Sequence, residues 1–501
     1  MHDYTANFVS YGAMLNATTF KNFSISTSAD DTTKAFVMTN GKTLPMLSKF
    51  YDTTANGVGT VYQPTQISTA DELERFTASV ETGEGEYYLQ VASIVSSNAQ
   101  TRSDFAGVFD GGNYTISGLA KPLFGTITSD AVVASVNVQS LSISSTTSGD
   151  YGAIAKVNRG TILFCSADGE IKFASSLAGS TFGGIVGKNY GHIGFTSSNV
   201  RIGQTDNATG HNISVGGIAG EMNKQVDGDF AQISNSFATG TLRLSQVTGE
   251  NLCVVGGIVG NLIAGNLQLC YSAARIDYLN ATSVKAYGAV FSNDNGGDQA
   301  NNVYDEVKIS NVYNDKLATL LTTVEASVYD ISMQNIMQSG LPSGFDSFAW
   351  SSFAIDYNQN SKVVMLNYGY PYLKYASQSV SQIANKGTGS TDRPYLIKNQ
   401  SSLEIINALV AKSMTYTYKL DDDIYCTDGD YISSFICTLD GGNKTIYNMS
   451  MTVSSGTENG FVSVNKGTIS NIAFANASAQ ITSNHNGRAF GLVVGSNSGK
   501  I

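Results

Sequence analysis

Five stretches decide the fold: YGAIAKVNRGTILFCSADGEI (151–171), GGIVGKNYGHIGFTSSNVRI (183–202), GGIAGEMNKQVDGDFAQISNSFATGTL (216–242), GGIVGNLIAGNLQLCYSAARI (256–276) and YGAVFSNDNGGDQANNVYDEVKI (287–309). Each opens on a glycine next to an aliphatic run, turns, and continues into a strand-like segment. Counted from Gly152, Gly183, Gly216, Gly256 and Gly288, the spacings are 31, 33, 40 and 32 residues. Three or four short strands with their turns fill ~30 residues, and a unit of that size cannot bury its own apolar face. Stacked at ~4.8 Å, such units bury a shared cylinder of Val, Ile and Phe, each backbone pairing with the unit on either side. Parallel crossovers are right-handed in nearly all proteins. The expected fold is therefore all-β: right-handed parallel β-helix (β-solenoid) modules in tandem.

A longer repeat lies over the short one. FAGVFDGGNYTISGL (105–119) matches FICTLDGGNKTIYNM (435–449) at an offset of 330, and ISTADELERF (67–76) matches IKNQSSLEII (397–406) at the same offset. This places a complete module at 64–378. Residues 1–52 read as the end of a preceding module, 53–63 and 379–391 as linkers, and 392–501 as the start of the next. The chain reads as an excerpt of a longer array. Each module is expected to open with a short capping helix: Thr69-Ala-Asp-Glu72 has capping-box spacing ahead of Leu73, Phe76 and Val80. Residues 402–412 repeat that pattern, and a further helical stretch is expected over 315–338.

With these residues laid out, the chain resembles the GLUG-motif family. GGIVG at 183–187 and 256–260, GGIAG at 216–220 and GLVVG at 491–495 carry the likeness, with FDGGNYTISGL and PLFGTI as lead-in. The pattern departs at Ala155–Lys156 and Phe291–Ser292. The resemblance implies a large microbial surface or secreted protein, adhesin-like in character. In streptococcal IgA-cleaving metalloproteases such repeats accompany a separate zinc domain, whose His-Glu-x-x-His motif is absent from this sequence.

Composition narrows the chemistry. Charged residues make up 14% of the chain and the net charge is −11, without a Lys/Arg-rich run, so no nucleic-acid partner is expected. No run of ~18 apolar residues occurs, so no membrane span is expected in this segment. The four histidines, His2, His192, His211 and His485, show no metal-ligand spacing, and neither a nucleophile elbow nor a Walker loop is present. No catalytic residue, metal ligand or cofactor is assigned. The oxygen-rich run Asn293–Asp298 would suit calcium, although it lacks the rest of a calcium-loop motif. The glycine pairs are read as close-packed corners rather than phosphate cradles.

Cys165 and Cys270 occupy the same position of repeats several layers apart, beyond disulfide reach, and are read as core residues. Cys426 and Cys437 replace Ser96 and Gly107 together at the 330-residue offset, which makes them the candidate disulfide. Ten Asn-x-Ser/Thr triplets are candidate glycosylation sites: Asn16, Asn22, Asn113, Asn207, Asn212, Asn280, Asn399, Asn443, Asn448 and Asn476. The functional expectation is a non-enzymatic structural or adhesive repeat protein, extracellular or at the cell surface, forming a rigid stalk, filament or surface layer. Its expected partners are copies of itself, neighbouring modules or surface glycans. The alternatives are a carbohydrate-active or carbohydrate-binding β-helix, or the spacer region of a larger secreted enzyme.

Overall fold

A computed structural model describes most of residues 64–319, apart from short loops. It also describes 328–331, 341–345, 350–351, 370–373, 389–403, 406, 416–426, 432–453, 458–481 and 490–501, and short pieces ahead of residue 64. The chain is all-β, with long parallel sheets and few helices. It divides into two compact units, Met1–Tyr313 with Thr323–Tyr329, and Asn314–Thr322 with Asp330–Ile501.

In the first unit, successive repeats lay strands in register on three parallel sheets. One sheet runs Asp150–Tyr151, Thr181–Gly183, Ile213–Gly216, Cys253–Gly256 and Val284–Gly288. Its pairings set Gly183 beside Gly216, Gly216 beside Gly256 and Gly256 beside Gly288, while Tyr151 lies beside Phe182, one residue ahead of Gly152 and Gly183. The five glycines read from the sequence thus form one column.

The second sheet runs from Arg102–Phe105 through Phe124–Ile127, Ala155–Asn158, Val186–Asn189 and Ala219–Met222 to Val259–Leu262. Its outward column reads Asp104, Thr126, Val157, Lys188 and Glu221; Asn261, next in register, is 4% exposed. The third and longest sheet carries the core column Phe109, Val133, Ile162, Ile193, Ile233 and Leu267, each 0–1% exposed. Fully burying each such side chain stabilises by ~1.5–3 kcal/mol.

Glycine is required at these corners by close approach. A Cβ on Gly216 would overlap the Ala219 carbonyl oxygen and come within 2.5 Å of the Gly260 nitrogen. A Cβ on Gly217 would lie 2.6 Å from the Ala238 Cβ. The third sheet answers with small residues opposite, Ser198, Ala238 and Ser272 in one column.

The opening helix spans Ala70–Ala78, with Thr69 as N-cap and both halves of the capping box formed with Glu72. Leu73 and Phe76 are buried as expected, but the helix stops at the Ser79 cap and Val80 is 85% exposed. Val80 is therefore no part of the apolar face. The helix expected over 315–338 is also shorter: Lys316–Thr319 is helical and Val328–Ile331 is a strand.

The 330-residue offset reappears as geometry within the second unit. Thr65 pairs with Tyr88 and Ile67 with Gln90; Tyr395 pairs with Tyr418 and Ile397 with Leu420. Ile94 pairs with Ile116, and Ile424 with Ile446. At the following corner the Gly112 and Gly442 N–H groups donate to Asp110 and Asp440, and Asn113 and Asn443 follow at φ 62° and 60°. Every equivalence is an exact shift of 330.

Candidate functional site

At the corner of the long sheet the chain makes the same left-handed step in each repeat: Ser135, Phe164, Phe195, Asn235 and Leu269 have φ between 47° and 56°. In four of these repeats the next residue donates to the carbonyl two positions earlier. Cys165 Sγ reaches Leu163 O at 3.3 Å, Thr196 Oγ1 reaches Gly194 O at 2.9 Å, Ser236 Oγ reaches Ser234 O at 2.8 Å and Cys270 Sγ reaches Gln268 O at 3.2 Å. The two cysteines are thus thiol members of a hydroxyl column, three layers or ~14 Å apart. Burial pushes both thiols up to about 12, which leaves them inert as nucleophiles.

Cys426 and Cys437 are also buried, and the structure holds them as thiols rather than as a cystine. The Cys426 N–H donates to Tyr447 O, at the far end of the strand Thr438–Tyr447, while Cys437 sits just ahead of its start. The expected disulfide is not formed. The joint replacement of Ser96 and Gly107 therefore reflects two separate core positions.

The sequons sort by backbone. Asn113, Asn443, Asn448 and Asn476 all lie at left-handed corners, φ 54–62°, where Asn is favoured for its own conformation; Asn443, Asn448 and Asn476 are exposed. Asn399 is a correction. It is 8% exposed, its Oδ1 accepts from Ser402 N at 2.9 Å and its Nδ2 donates to the Tyr370 hydroxyl at 3.2 Å. An amide committed to those bonds cannot carry a glycan in the folded chain. Asn16, Asn22, Asn207, Asn212 and Asn280 lie outside the described residues, as do Asn293–Asp298, His2, His211 and His485. His192 is exposed. Among the described residues no group of three His, Cys, Asp or Glu is placed to hold a metal ion.

One charged grouping on neighbouring repeats, drawn from the first and second sheets, went unread in the sequence, because its members belong to different strands. Lys188 Nζ lies 3.5 Å from Asp150 Oδ1, which also accepts from Thr181 Oγ1 at 2.8 Å. Glu221 is Lys188's neighbour in the outward column, and the Arg159 guanidinium stands 4.6 Å over the Tyr190 ring. Partial burial opposes the Lys188 charge, yet Asp150 and Glu221 outweigh it and hold the ammonium above its ordinary value. Burial, and then Glu221, raises the Tyr190 phenol. Both groups keep their protons at neutral pH, so the cluster offers donors and two carboxylate acceptors without a lysine or tyrosine base. That chemistry suits holding hydroxyl-bearing partners better than proton abstraction.

Inside the stack, Asn158 Nδ2 donates to Asn189 Oδ1 at 2.8 Å, and Asn189 Nδ2 donates on to Gly191 O at 3.2 Å. In the second unit Asn465 Nδ2 makes the same bond to Asn497 Oδ1 at 2.8 Å. Asn158, Asn189 and Asn465 are 0% exposed.

No protein-family model matches the chain, and no curated protein matches it. Among solved structures, a candidate immunoglobulin A1 protease from Bacteroides ovatus aligns at 18% identity and TM-score 0.44, covering 64% of this chain and 94% of that one. A chain described as IgA1 protease aligns at 22% identity and TM-score 0.39, covering 56% of this chain and 21% of its own length. At these TM-scores neither alignment carries over a fold or an activity. No helix among the described residues is long and apolar enough to cross a membrane, which leaves β-barrels unaddressed.

Proposed function

We propose that this chain is part of a non-enzymatic extracellular structural or adhesive array, built from tandem right-handed parallel β-helical modules of the GLUG type. One observation carries the reading: strand registers, capping box and Asp-Gly-Gly corner recur at the same 330-residue shift. Function in a single-site protein does not call for repeating the opening layers of a stack to the residue, whereas a stalk, filament or surface layer does, because its product is length and multivalency. The in-register glycine column and buried asparagine ladders supply rigidity. The donor-rich face around Lys188 and Tyr190 supplies weak, repeated contact with glycans or neighbouring chains. In this reading residues 64–378 are one module and 392–501 open the next.

Negative-stain electron microscopy of native material, alongside the purified chain, tests the proposal. Thin fibres or layers with a regular axial repeat, beside a short rod for the chain itself, are expected. Compact particles without higher assembly in the native material would overturn it.

A further inference from the structure

Both opening helices carry an N-cap at equivalent positions, Thr69 and Asn399, but the two caps are completed differently. At the first, Glu72 closes the box alone: Glu72 N donates to Thr69 Oγ1 at 3.2 Å, and Glu72 Oε2 accepts from Thr69 N at 3.0 Å and Ser68 N at 2.8 Å. At the second, Ser402 stands in for Glu72. Its hydroxyl oxygen accepts from Asn399 N at 3.0 Å and Lys398 N at 3.1 Å, while Ser402 N donates to Asn399 Oδ1 at 2.9 Å.

The shorter serine comes with outside support. The Asn399 amide donates to the Tyr370 hydroxyl at 3.2 Å, and that hydroxyl donates to Asp315 Oδ2 at 2.9 Å. Ser401 also hydrogen-bonds Asp315. Asp315 in turn caps the turn Lys316–Thr319, its Oδ1 accepting from Leu317 N at 3.0 Å and Ala318 N at 3.3 Å. Tyr370 is held beside the antiparallel pair Trp350–Ser351 and Tyr372–Leu373, and Trp350 stacks on Phe345 at 4.4 Å. Asp315, Tyr370 and Ser401 are 0–1% exposed.

We infer that Asp315 and Tyr370, from the closing part of one module, form the dock that completes the entry helix of the next. A buried polar chain of this kind fixes its partners in a single arrangement, because any other leaves a carboxyl, a phenol and an amide desolvated together. Its recurrence along a longer chain rests on the tandem-module reading. So does the assignment of its two sides to successive modules; the hydrogen-bonded chain itself, within the second unit, does not.

The test is hydrogen exchange on the full chain, comparing amides of 400–406 with those of Ala70–Ala78 in the wild type, Tyr370→Phe, Asn399→Ser and the double variant. Serine keeps the cap acceptor but loses the reach to Tyr370. Each single variant is expected to speed exchange at 400–406 by ~10-fold or more, the effect of leaving a buried polar group without its hydrogen-bond partner, and to leave Ala70–Ala78 unchanged. The double variant should match Tyr370→Phe alone, since both substitutions break the same chain. Unchanged exchange at 400–406, or equal acceleration in both helices, overturns the inference. Should Tyr370→Phe fail to fold, Asn399→Ser alone decides by the same two readouts. Microscopy that shows no array would remove the recurrence while leaving this exchange result standing.

Discussion

Asp110 and Asp440 occupy the same corner 330 residues apart, and the structure gives them opposite acidities. Asp110 is 7% exposed; burial raises its carboxyl from 3.8 to about 6, against the pull of the Gly112 N–H and the Ser135 hydroxyl. Asp440 is less buried, and the Gly442 N–H followed by the Asn471 amide lowers its carboxyl instead. For Asp110 the folded state binds its proton more tightly than the unfolded state. The contribution of this group to stability is therefore full below pH ~4 and is lost as the pH rises through about 6. Raising the carboxyl from 3.8 to about 6 corresponds to ~3 kcal/mol. Asp110→Asn keeps the acceptor for Gly112 N–H and removes the titration. The measurement is urea denaturation of wild type and variant at pH 4, 5, 6 and 7, with the first unit's transition assigned by hydrogen exchange at Val108–Asp110. The variant should match the wild type near pH 4 and exceed it by ~3 kcal/mol at pH 7. A pH-independent difference, or a wild type that gains stability from this group between pH 4 and 7, would refute the burial argument. Asp440→Asn serves as the control and should be neutral or destabilising at pH 7.

Arg102, 1% exposed, donates to Phe76 O at 3.0 Å and Glu81 O at 2.8 Å while lying 4.4 Å over the Phe76 ring. Arg102→Ala should cost ~3–5 kcal/mol, the scale of breaking a buried charged network, and should raise exchange in Ala70–Ala78 first. Gly216→Ala should cost ~3 kcal/mol or more, at the top of the overpacking range. Gly203→Ala, whose Cβ would meet only Arg243 atoms at 3.8 Å and beyond, should stay within ~0.5 kcal/mol. Cys165→Ser should preserve the corner bond and unfold within ~1 kcal/mol of wild type. Cys165 and Cys270 should resist alkylation at pH 8 until the chain unfolds, and rapid labelling of the native protein would contradict their burial.

The glycine column, the capping box and the 330-residue repeat were legible because each depends on residues close in sequence, spaced by the repeat itself. The first layers were harder to read. Tyr88, Phe109 and Val133 stack at separations of 21 and 24 residues, without a glycine pair to mark them. Arg102 was missed because arginine reads as surface, yet its counterpart at the same offset is Ile432, 1% exposed, and that alignment held the only sign of burial. The disulfide expectation fails because joint replacement does not establish proximity; both positions are buried and both hold thiols. Asn399 belonged to a sequon in one dimension and to a helix cap in three. The Lys188 grouping draws on strands of two sheets that only the folded chain brings together.

Nothing in the backbone ladder depends on what the outward column of the second sheet carries. Asp104, Thr126, Val157, Lys188 and Glu221 follow one another at ~4.8 Å, five different side chains on a common support. Spelling on that face can change one letter at a time while glycines and core hold the line spacing. Such a surface behaves like movable type, able to be reset for a new contact without recasting the frame.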